Sequence, residues 1–427
     1  VSAPPAKVAR KGPGPDTAVS RTTTTTLAHL SGNSFDSLDL HPALQRSLRE
    51  AFQYEAMTVV QDGAIPACLQ GGDVVAKAKT GTGKTLAFLL PALHRVLSSP
   101  APSSGAVRVL VLSPTRELAM QTAKEAGTLL QFQPGHSVMT MLGGTNMRAE
   151  AAQLGRQVPL VLVATPGRLN DHLENGGLAP LVRGLDVLVF DEADQLLDMG
   201  FRPAIDKILG KLPPRERRQT LLFSATFPAQ LQQVTKAALR PSHQVIDCVG
   251  AAEEASNEQV DQGALVCSFD DLLATVVAIL GDLVRRPHKI IVFLPTARET
   301  GLFAGLLQHV QLETTVLEIH SRKSQPQRTR ISDEFRKTPQ GVLFSSDVSA
   351  RGMDYPDVTF VLQVGAPSDR AQYLHRLGRT ARAGREGAGL LLLCDFEAYF
   401  LEMLTDLPLA RRPPPASAPL EEARAMV

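Results

Sequence analysis

The chain has 427 residues, and its 44 basic and 43 acidic side chains leave a net charge of +1. This length exceeds one ordinary hydrophobic core and predicts two domains of about 200 residues each. The small net charge excludes a surface that attracts polyanions as a whole, so any nucleic-acid contact has to come from local clusters of basic residues. No apolar run approaches the roughly 20 residues of a membrane-spanning helix, so no membrane segment is expected. The four cysteines include no C-x-x-C pair, which argues against a zinc site and a disulfide framework and fits a reducing compartment.

The two ends of the chain differ in composition from its middle. Residues 1–33 are basic, poor in acids and rich in proline, glycine and threonine, which predicts a disordered tail. This composition fits what remains beside an organelle transit peptide and fits a solvated linker equally well. Residues 408–427 contain three consecutive prolines and predict a second flexible tail. The chain begins with Val1 and not with methionine, which indicates a processed form or a fragment.

Between the tails, short apolar runs alternate with longer amphipathic stretches, a pattern typical of mainly parallel sheets with crossover helices. The strands predicted in the first half are Asp73 to Lys77, Arg108 to Ser113, Ser137 to Leu142, Leu160 to Ala164, Asp186 to Phe190 and Thr220 to Ser224. Those predicted in the second half are Lys289 to Leu294, Thr315 to Glu318, Val342 to Ser345, Phe360 to Val364 and Gly389 to Leu393. Residues 249–259 lack an apolar period and predict a linker. We therefore expect two α/β domains, 34–248 and 260–407, with ligands bound beyond the carboxyl ends of the strands.

The first predicted strand leads into Ala-Lys-Thr-Gly-Thr-Gly-Lys-Thr at 78–85, and a helix-like run follows. Glycines in such a loop let successive backbone N–H groups converge on phosphate oxygens. Lys84 is expected to reach the β and γ phosphates of a nucleotide, and Thr85 to place its hydroxyl on Mg²⁺. A Gly-rich surface turn with a chance lysine is the alternative. The loop residues expected to bind the nucleotide are Thr80, Gly81, Thr82, Gly83, Lys84 and Thr85.

The tetrapeptide Asp-Glu-Ala-Asp at 191–194 directly follows an apolar predicted strand. A strand that ends in aspartate positions a carboxylate for Mg²⁺ opposite a phosphate loop, so Asp191 is a candidate metal ligand, partly through water. Glu192 beside it is the natural base for an attacking water. Taken alone, the tetrapeptide is also a plausible acidic helix start.

Ser224 and Thr226 flank an alanine at the end of the next predicted strand. Their hydroxyls could relay hydrogen bonds between the Asp194 region and another part of the site. Residues of this kind are also ordinary turn chemistry, so this tripeptide proves little by itself.

A basic string, His-Arg-Leu-Gly-Arg-Thr-Ala-Arg-Ala-Gly-Arg, begins at His375 in the second half. Arg376, Arg379 and Arg382 recur every three residues, so a helical segment would gather their guanidinium groups into one cluster. A solvated basic face is the usual alternative. Because the second half has no phosphate loop of its own, we expect these arginines to complete the nucleotide site of the first half as arginine fingers.

With these motifs in this order, the chain resembles the DEAD-box ATP-dependent RNA helicases over both halves, roughly from Phe35 to Leu407. The resemblance implies two tandem RecA-like domains, RNA-stimulated ATP hydrolysis, and ATP with Mg²⁺ as cofactors. It also implies a monomer that binds single-stranded or structured RNA, mainly through the RNA backbone, with ribonucleoprotein or ribosome-assembly partners. In the individual residues of its motifs, the chain is most similar to organellar members that act as RNA chaperones. This implies a mitochondrial or chloroplast location, with nucleus or cytoplasm as the alternative and secretion excluded.

The resemblance also implies roles for single residues. Gln61 would read the adenine edge and Tyr54 would stack on the ring, while Gly352 and Asp354 would reach the nucleotide. The catalytic residues would be Lys84, Asp191, Glu192, Arg379 and Arg382. The RNA contacts would be Pro114, Thr115, Arg116, Gly144, Thr165, Arg168, Arg328 and Ser346. The residues that couple the two activities would be Asp194, Ser224, Thr226 and His375. Departures from the family pattern are Val59 for proline, Ser346 for threonine and Ala381 for glycine.

The scarcity of aromatic residues bears on how RNA would be bound. With no Trp and only four Tyr, base stacking is not expected to dominate binding. Contacts to phosphate and 2′-OH groups predict sequence tolerance and a preference for RNA over DNA. Two alternatives stay open: an ATP-gated RNA clamp that turns over slowly, and a DNA translocase built on the same two domains.

Overall fold

A computed structural model describes residues 30–78, 81–99, 105–248, 260–310, 312–347, 353, 355–381 and 387–426. The strands of its first half are β1 (Leu30–Ser34), β2 (Ala56–Thr58), β3 (Val74–Lys77), β4 (Val109–Leu112), β5 (Val138–Met141), β6 (Val161–Ala164), β7 (Val187–Phe190), β8 (Gln219–Ser224) and β9 (Gln244–Asp247). The helices are α1 (Pro42–Ser47), α2 (Val59–Leu69), α3 (Lys84–Ser98), α4 (Arg116–Leu129), α5 (Met147–Arg156), α6 (Pro166–Asn175), α7 (Ala193–Asp198), α8 (Arg202–Leu209) and α9 (Ala229–Ala238). The main sheet has seven parallel strands in the order β5-β6-β4-β7-β8-β3-β9.

The second half repeats this architecture. Its strands are β10 (Val260–Cys267), β11 (Lys289–Phe293), β12 (Thr315–Ile319), β13 (Gly341–Ser345), β14 (Phe360–Val364), β15 (Gly387–Cys394) and β16 (Leu409–Arg411). Its helices are α10 (Leu272–Leu283), α11 (Ala297–His309), α12 (Gln325–Lys337), α13 (Arg370–Leu377) and α14 (Ser417–Met426), and Asp395–Leu404 forms a 3₁₀ helix. The second sheet also has seven parallel strands, in the order β12-β13-β11-β14-β15-β10-β16.

The composition of the strands explains why these sheets are parallel and buried between helices. The central strands β4, β6 and β7 contain only apolar residues and are buried along their whole length. Such continuous apolar runs are typical of sheets that helices cover on both faces. Every predicted strand is present within two residues at either end, and the α/β fold class is confirmed.

The strand order determines which motifs meet. β7, β8 and β3 are neighbours in the first sheet and run in the same direction. Their carboxyl ends therefore lie side by side at one edge, where the segments after these strands begin. The segment 191–194 follows β7, 224–226 closes β8, and the phosphate loop follows β3.

The predictions for the two tails are wrong for the residues that the structure describes. At the N-terminal side, Leu30–Asn33 belong to β1, which pairs with β2 in an antiparallel ribbon. At the C-terminal side, β16 pairs with β10 and α14 packs against α10. Ala423 of α14 is buried, and Arg424 Nε donates to Asp271 Oδ1 at 3.0 Å. The second domain therefore extends past residue 407 to Met426, whereas the rest of the first tail and the predicted linker 249–259 lie outside the described residues.

Among the described helices, none has both the length and the apolar character needed to cross a membrane.

Replacing Ala423 by aspartate is expected to destabilise the second domain by about 2–4 kcal/mol, because the new charge would be buried against α10. Urea-induced unfolding measures this change in the free energy of unfolding. Ala425 lies exposed on the same helix, so Ala425→Asp adds the same charge and is expected to stay within about 0.5 kcal/mol of the parent chain. Equal unfolding midpoints for the two variants would contradict the packing of α14.

Candidate nucleotide-binding and RNA-binding site

The phosphate loop forms a tight connection into α3. Gly83 precedes the helix with a φ of +85°, and a Cβ at this position would lie 2.5 Å from Gln61 Nε2, so only glycine allows this approach. Lys84, the first residue of α3, is buried, and its Nζ donates to Ala78 O at 3.1 Å. Thr85 lies in the first turn, as predicted. The predicted strand before the loop and the predicted helix after it are therefore confirmed, and phosphate binding by the loop stays a prediction.

Gln61 joins the segment before α2 to this loop. Its Oε1 accepts from Thr58 N at 2.9 Å, and its Nε2 donates to Gly83 O at 3.1 Å. Thr58 Oγ1 donates in turn to Thr82 O at 2.8 Å. The Thr58–Gln61 pair is a capping box, so local helix chemistry fixes the amide that the resemblance assigns to adenine. Tyr54 is half exposed just before β2, and its stacking role stays a prediction.

The carboxylate of Glu192 lies directly against the phosphate loop. Lys84 Nζ is 2.9 Å from Glu192 Oε1, and both side chains are almost fully buried. Glu192 has a φ of +47°, a left-handed conformation that is costly for a residue other than glycine and is found mainly at functional sites. Among the described residues, nothing hydrogen-bonds its buried Oε2. The role of Glu192 as a base stays a prediction.

Asp191 is suited to hold a cation. Burial above all, and then the charge of Glu192, raises the pKa of Asp191 to about 7, although Lys84 opposes the shift. The Oγ1 of Thr122 in α4 donates to Asp191 Oδ2 at 3.4 Å. A bound cation favours the ionised form of such a buried carboxyl group. The donor set of Asp191 and the Thr85 hydroxyl is made of oxygen, which Mg²⁺ prefers, so these residues fit the predicted metal.

The hydroxyls at the end of β8 bind Asp194. Asp194 N donates to Ser224 Oγ at 3.1 Å, and Asp194 Oδ2 accepts from Thr226 N at 3.0 Å and from Thr226 Oγ1 at 2.8 Å. Ser224 Oγ also donates to Thr226 O at 2.7 Å. These bonds tie the start of α7 to the turn after β8. The hydroxyls therefore bind the Asp194 region, and a relay to another part of the site stays a prediction.

Of the arginines in the basic string, Arg376 and Arg379 lie in the described part of the chain, and each is bound within the second domain. The helix α13 ends at a glycine cap before Arg379, so the three-residue spacing does not stay on one helix face. Arg376 forms two hydrogen bonds with Asp347 of its own domain, at 2.7 and 3.0 Å. Arg379 is buried and donates from Nη1 to Met353 O at 2.6 Å. His375 is buried in the last turn of α13.

Three arginines predicted to contact RNA lie close together, although they come from two domains. Arg116 is the first residue of α4, and its guanidinium group lies against Gly144. A Cβ added to Gly144, whose φ is +81°, would lie 2.7 Å from Arg116 Nη1. Arg168 donates to the two carbonyls that flank Gly143 and Gly144, at 3.0 and 2.6 Å. Burial, followed by the charge of Arg328 from the second domain, lowers the pKa of Arg116 below its usual value. Like charges gathered in this way are stabilised by an anion such as phosphate.

A buried ion pair joins the two domains at the same place. Glu117 Oε1 of α4 accepts from Arg328 Nη2 and, at 3.0 Å, from Gln325 Nε2, both on α12. The side chains of Glu117 and Arg328 are only 3% and 8% exposed. Sequence reasoning missed the role of Glu117, since its partner lies 211 residues away and no periodic pattern connects them. The guanidinium predicted to bind RNA therefore also holds the domains together.

A second missed residue, Glu150, supports the turn that contains Gly143 and Gly144. Its Oε2 lies 2.7 Å from His172 Nε2 and 3.9 Å from Arg168 Nε, and its Oε1 accepts from Thr145 Oγ1. The only sequence signal was a pair of polar residues on apolar helix faces. The structure thus shows a buried network behind the predicted RNA contacts.

The remaining predicted RNA residues lie at the ends of strands. Thr115 Oγ1 accepts from Leu118 N at 3.3 Å and so caps its own helix, α4. Thr165 Oγ1 accepts from Gly143 N at 3.3 Å and so joins the turn after β6 to the turn after β5. Pro114 is buried, and Ser346 follows β13 and is mostly buried. The predicted residues that lie outside the described part of the chain are Thr80, Gly352, Asp354 and Arg382.

Comparison with known proteins agrees with this geometry. The sequence model for the DEAD/DEAH box helicase family matches residues 58–234, and the model for the helicase conserved C-terminal domain matches residues 271–384. The chain belongs to the DEAD-box helicase family. Its two sheets are the two tandem RecA-like domains of this family, and residues 191–194 are the tetrapeptide in the family's name.

Two curated relatives and one solved structure place the chain within this DEAD-box family. The chain is 48% identical over 402 residues to DEAD-box ATP-dependent RNA helicase 31 of Arabidopsis thaliana, covering 92% of this chain and 55% of that protein. It is 47% identical over 399 residues to helicase 26 of the same plant, covering 92% and 46%. The chain thus spans about half the length of these relatives. Mss116p (NTE and C-tail double deletion) bound to ssRNA and AMP-PNP is similar with a TM-score of 0.85 and 31% identity, covering 92% of this chain and 82% of that one.

Replacing Asp191 by asparagine is expected to stabilise the chain in EDTA, by on the order of a few kcal/mol at pH 8. The folded pKa of about 7 exceeds the usual value of 3.8, so the folded state binds more protons and loses stability as pH rises between these values. The gain from Asp191→Asn should therefore grow from pH 4 to about pH 7 and then level off. Thermal unfolding at several pH values measures it. The exposed Asp198→Asn is the matched control, and a gain for Asp191→Asn that does not depend on pH would contradict the assignment.

Proposed function

We propose that the chain is an RNA-dependent ATPase that separates short RNA duplexes or remodels RNA–protein complexes by closing its two domains around ATP and RNA. One observation carries this proposal: helix α4 touches both parts of the site. Its first turn holds Arg116 and Glu117, which meet Arg328 of the second domain. Less than two turns further along α4, Thr122 contacts Asp191 at the nucleotide site. Closure of the domains would therefore act on the nucleotide site through α4.

The nucleotide site suggests how hydrolysis is controlled. Lys84 is paired with Glu192 before ATP binds, so the base is held by a positive charge. When Lys84 turns to the β and γ phosphates of ATP, the Glu192 carboxylate is released to orient a water and take its proton. Mg²⁺ held through Thr85 and Asp191 would supply charge stabilisation on the phosphate oxygens. By family resemblance, Arg379 and Arg382 approach the γ phosphate only in the closed state.

The RNA side of the site favours recognition of the backbone. The cluster of Arg116, Arg168 and Arg328 offers guanidinium donors to phosphates, and the turns around Gly144 offer backbone groups. Exposed aromatic residues are absent from this cluster among the residues described. The contacts then tolerate any sequence, and the 2′-OH is what distinguishes RNA from DNA. We propose that closure bends one strand, so a short duplex separates locally.

The organellar location stays a proposal. It is supported by the similarity of the motif residues to those of organellar RNA chaperones and by the basic, acid-poor composition of residues 1–33. Imaging of the tagged full-length protein tests it, and a nuclear or cytosolic signal alone would contradict it.

Replacing Glu192 by glutamine is expected to slow ATP hydrolysis by about 10²–10⁴-fold while leaving ATP binding intact, because the amide cannot take a proton. Single-turnover hydrolysis and equilibrium binding of ATP measure the two effects. The same variant should hold RNA longer, since the closed state would not reset. Glu174→Gln changes an exposed glutamate and serves as the control. Hydrolysis near the parent rate in Glu192→Gln would contradict the role of Glu192 as base.

Strand displacement measured beside ATPase activity tests the function as a whole. We expect a short RNA duplex to separate with ATP, and RNA to stimulate hydrolysis. Stable ATP-dependent RNA binding with background displacement would support the clamp instead. Single-stranded DNA of the same sequence is the control, and full stimulation by DNA would overturn RNA as the substrate.

A further inference from the structure

An exposed pair of aromatic rings lies at the carboxyl ends of β10 and β15. The two strands pair in register through Cys267 and Cys394, so Phe269 and Phe396, two residues further on, lie side by side. Their ring centroids are 6.3 Å apart, and each side chain is 68% exposed. Two large rings that contact each other in water add nothing to the core of the domain. Contiguous exposed apolar surface of this kind marks an interaction site.

The 3₁₀ helix Asp395–Leu404 extends this pair into a ridge. Side chains three residues apart eclipse one another in a 3₁₀ helix, so Tyr399 lines up behind Phe396. Tyr399 is 62% exposed and Met403 is 46% exposed, whereas the opposite side of the helix is buried in the domain. We name Phe269, Phe396, Tyr399 and Met403 the aromatic ridge.

Carboxylates surround the aromatic ridge. Asp270, Asp395 and Glu402 are exposed, and no described basic side chain forms an ion pair with any of them. Arg370 and Arg424 bind Asp406 and Asp271, which lie close to these carboxylates in the sequence. We name Asp270, Asp395 and Glu402 the acidic rim. The surface therefore combines exposed π faces with uncompensated negative charge.

The charge of the acidic rim decides between possible occupants. It repels the phosphates of RNA, although exposed aromatic residues elsewhere often stack on bases. A twofold contact between two copies of this chain would bring one acidic rim against another, which is also unfavourable. Basic side chains are attracted to the carboxylates, and a guanidinium or ammonium group binds well over an aromatic face.

We propose that the aromatic ridge and the acidic rim form a docking site for a partner protein, which binds through a segment that presents arginines or lysines between aliphatic side chains. The aliphatic groups cover Phe269, Phe396 and Tyr399, and the basic groups pair with the acidic rim. Aromatic residues at the centre supply most of the affinity in such contacts, and charges at the edge set specificity and the rate of association. None of the residues of the aromatic ridge or the acidic rim is among those predicted to bind nucleotide or RNA.

Photo-crosslinking in cells tests the occupant. A benzophenone amino acid replaces Tyr399 in the full chain, which keeps an aromatic group on the aromatic ridge. Leu302 of α11, 58% exposed in the same domain, is the control position. We expect a protein adduct at position 399 whose crosslinked segment is basic and amphipathic. An adduct with RNA, with a second copy or within the same chain would overturn the proposal, as would a yield no higher than at position 302.

Affinity measurements test the chemistry of the contact. A synthetic peptide with the sequence of the crosslinked segment is titrated into the parent chain and its variants. Phe396→Ser is expected to weaken binding by about tenfold or more. Asp395→Asn combined with Glu402→Gln is expected to weaken it and to reduce its dependence on salt. Leu302→Ser should bind like the parent, and unchanged affinity in either ridge or rim variant would overturn the proposal.

Discussion

The buried ion pair between Glu117 and Arg328 constrains how the two domains are oriented. Removing two charges from water costs several kcal/mol for each ion, and their attraction offsets this cost only when further hydrogen bonds support the pair. Gln325 supplies one such bond to Glu117. Losing either partner would leave an unpaired buried charge, at a cost of about 3–5 kcal/mol. Because its partners come from different domains, the pair forms only when the domains are oriented as they are here.

Helix α4 connects this ion pair to the nucleotide site. Its first turn carries the carboxylate of the ion pair, and a residue further along, Thr122, bonds Asp191. Asp191 is a buried carboxyl group whose ionised form depends on its few polar neighbours. A shift of α4 at the domain boundary therefore changes the group that would hold the metal. In the proposed function, RNA stabilises the arginine cluster and so favours the same position of α4.

The sequence predicted the parts of the molecule that depend on local chemistry. Central strands were found because they are continuous apolar runs, and the phosphate loop because its glycines and lysine lie together. The edge strand β9 is largely exposed, and β10 contains polar residues and a glycine, so neither shows such a run. The segment from β16 to α14 was taken for a flexible tail because of its prolines, yet packing against α10 orders it. Ala381 adopts a φ of +52°, a left-handed conformation that is costly for alanine and that its sequence context did not predict. The pairing of Glu117 with Arg328 exists only in the folded chain, so no local pattern could have predicted it.

The most direct test of the account is the affinity for a non-hydrolysable ATP analogue with and without single-stranded RNA, in the parent chain and in Glu117→Gln. We expect RNA to tighten analogue binding by a factor of about 5–150 in the parent chain, and the analogue to tighten RNA binding by the same factor. In Glu117→Gln both factors should fall toward one, while analogue affinity without RNA stays near that of the parent. Equal affinity with and without RNA in the parent chain, or full coupling in Glu117→Gln, would contradict the account.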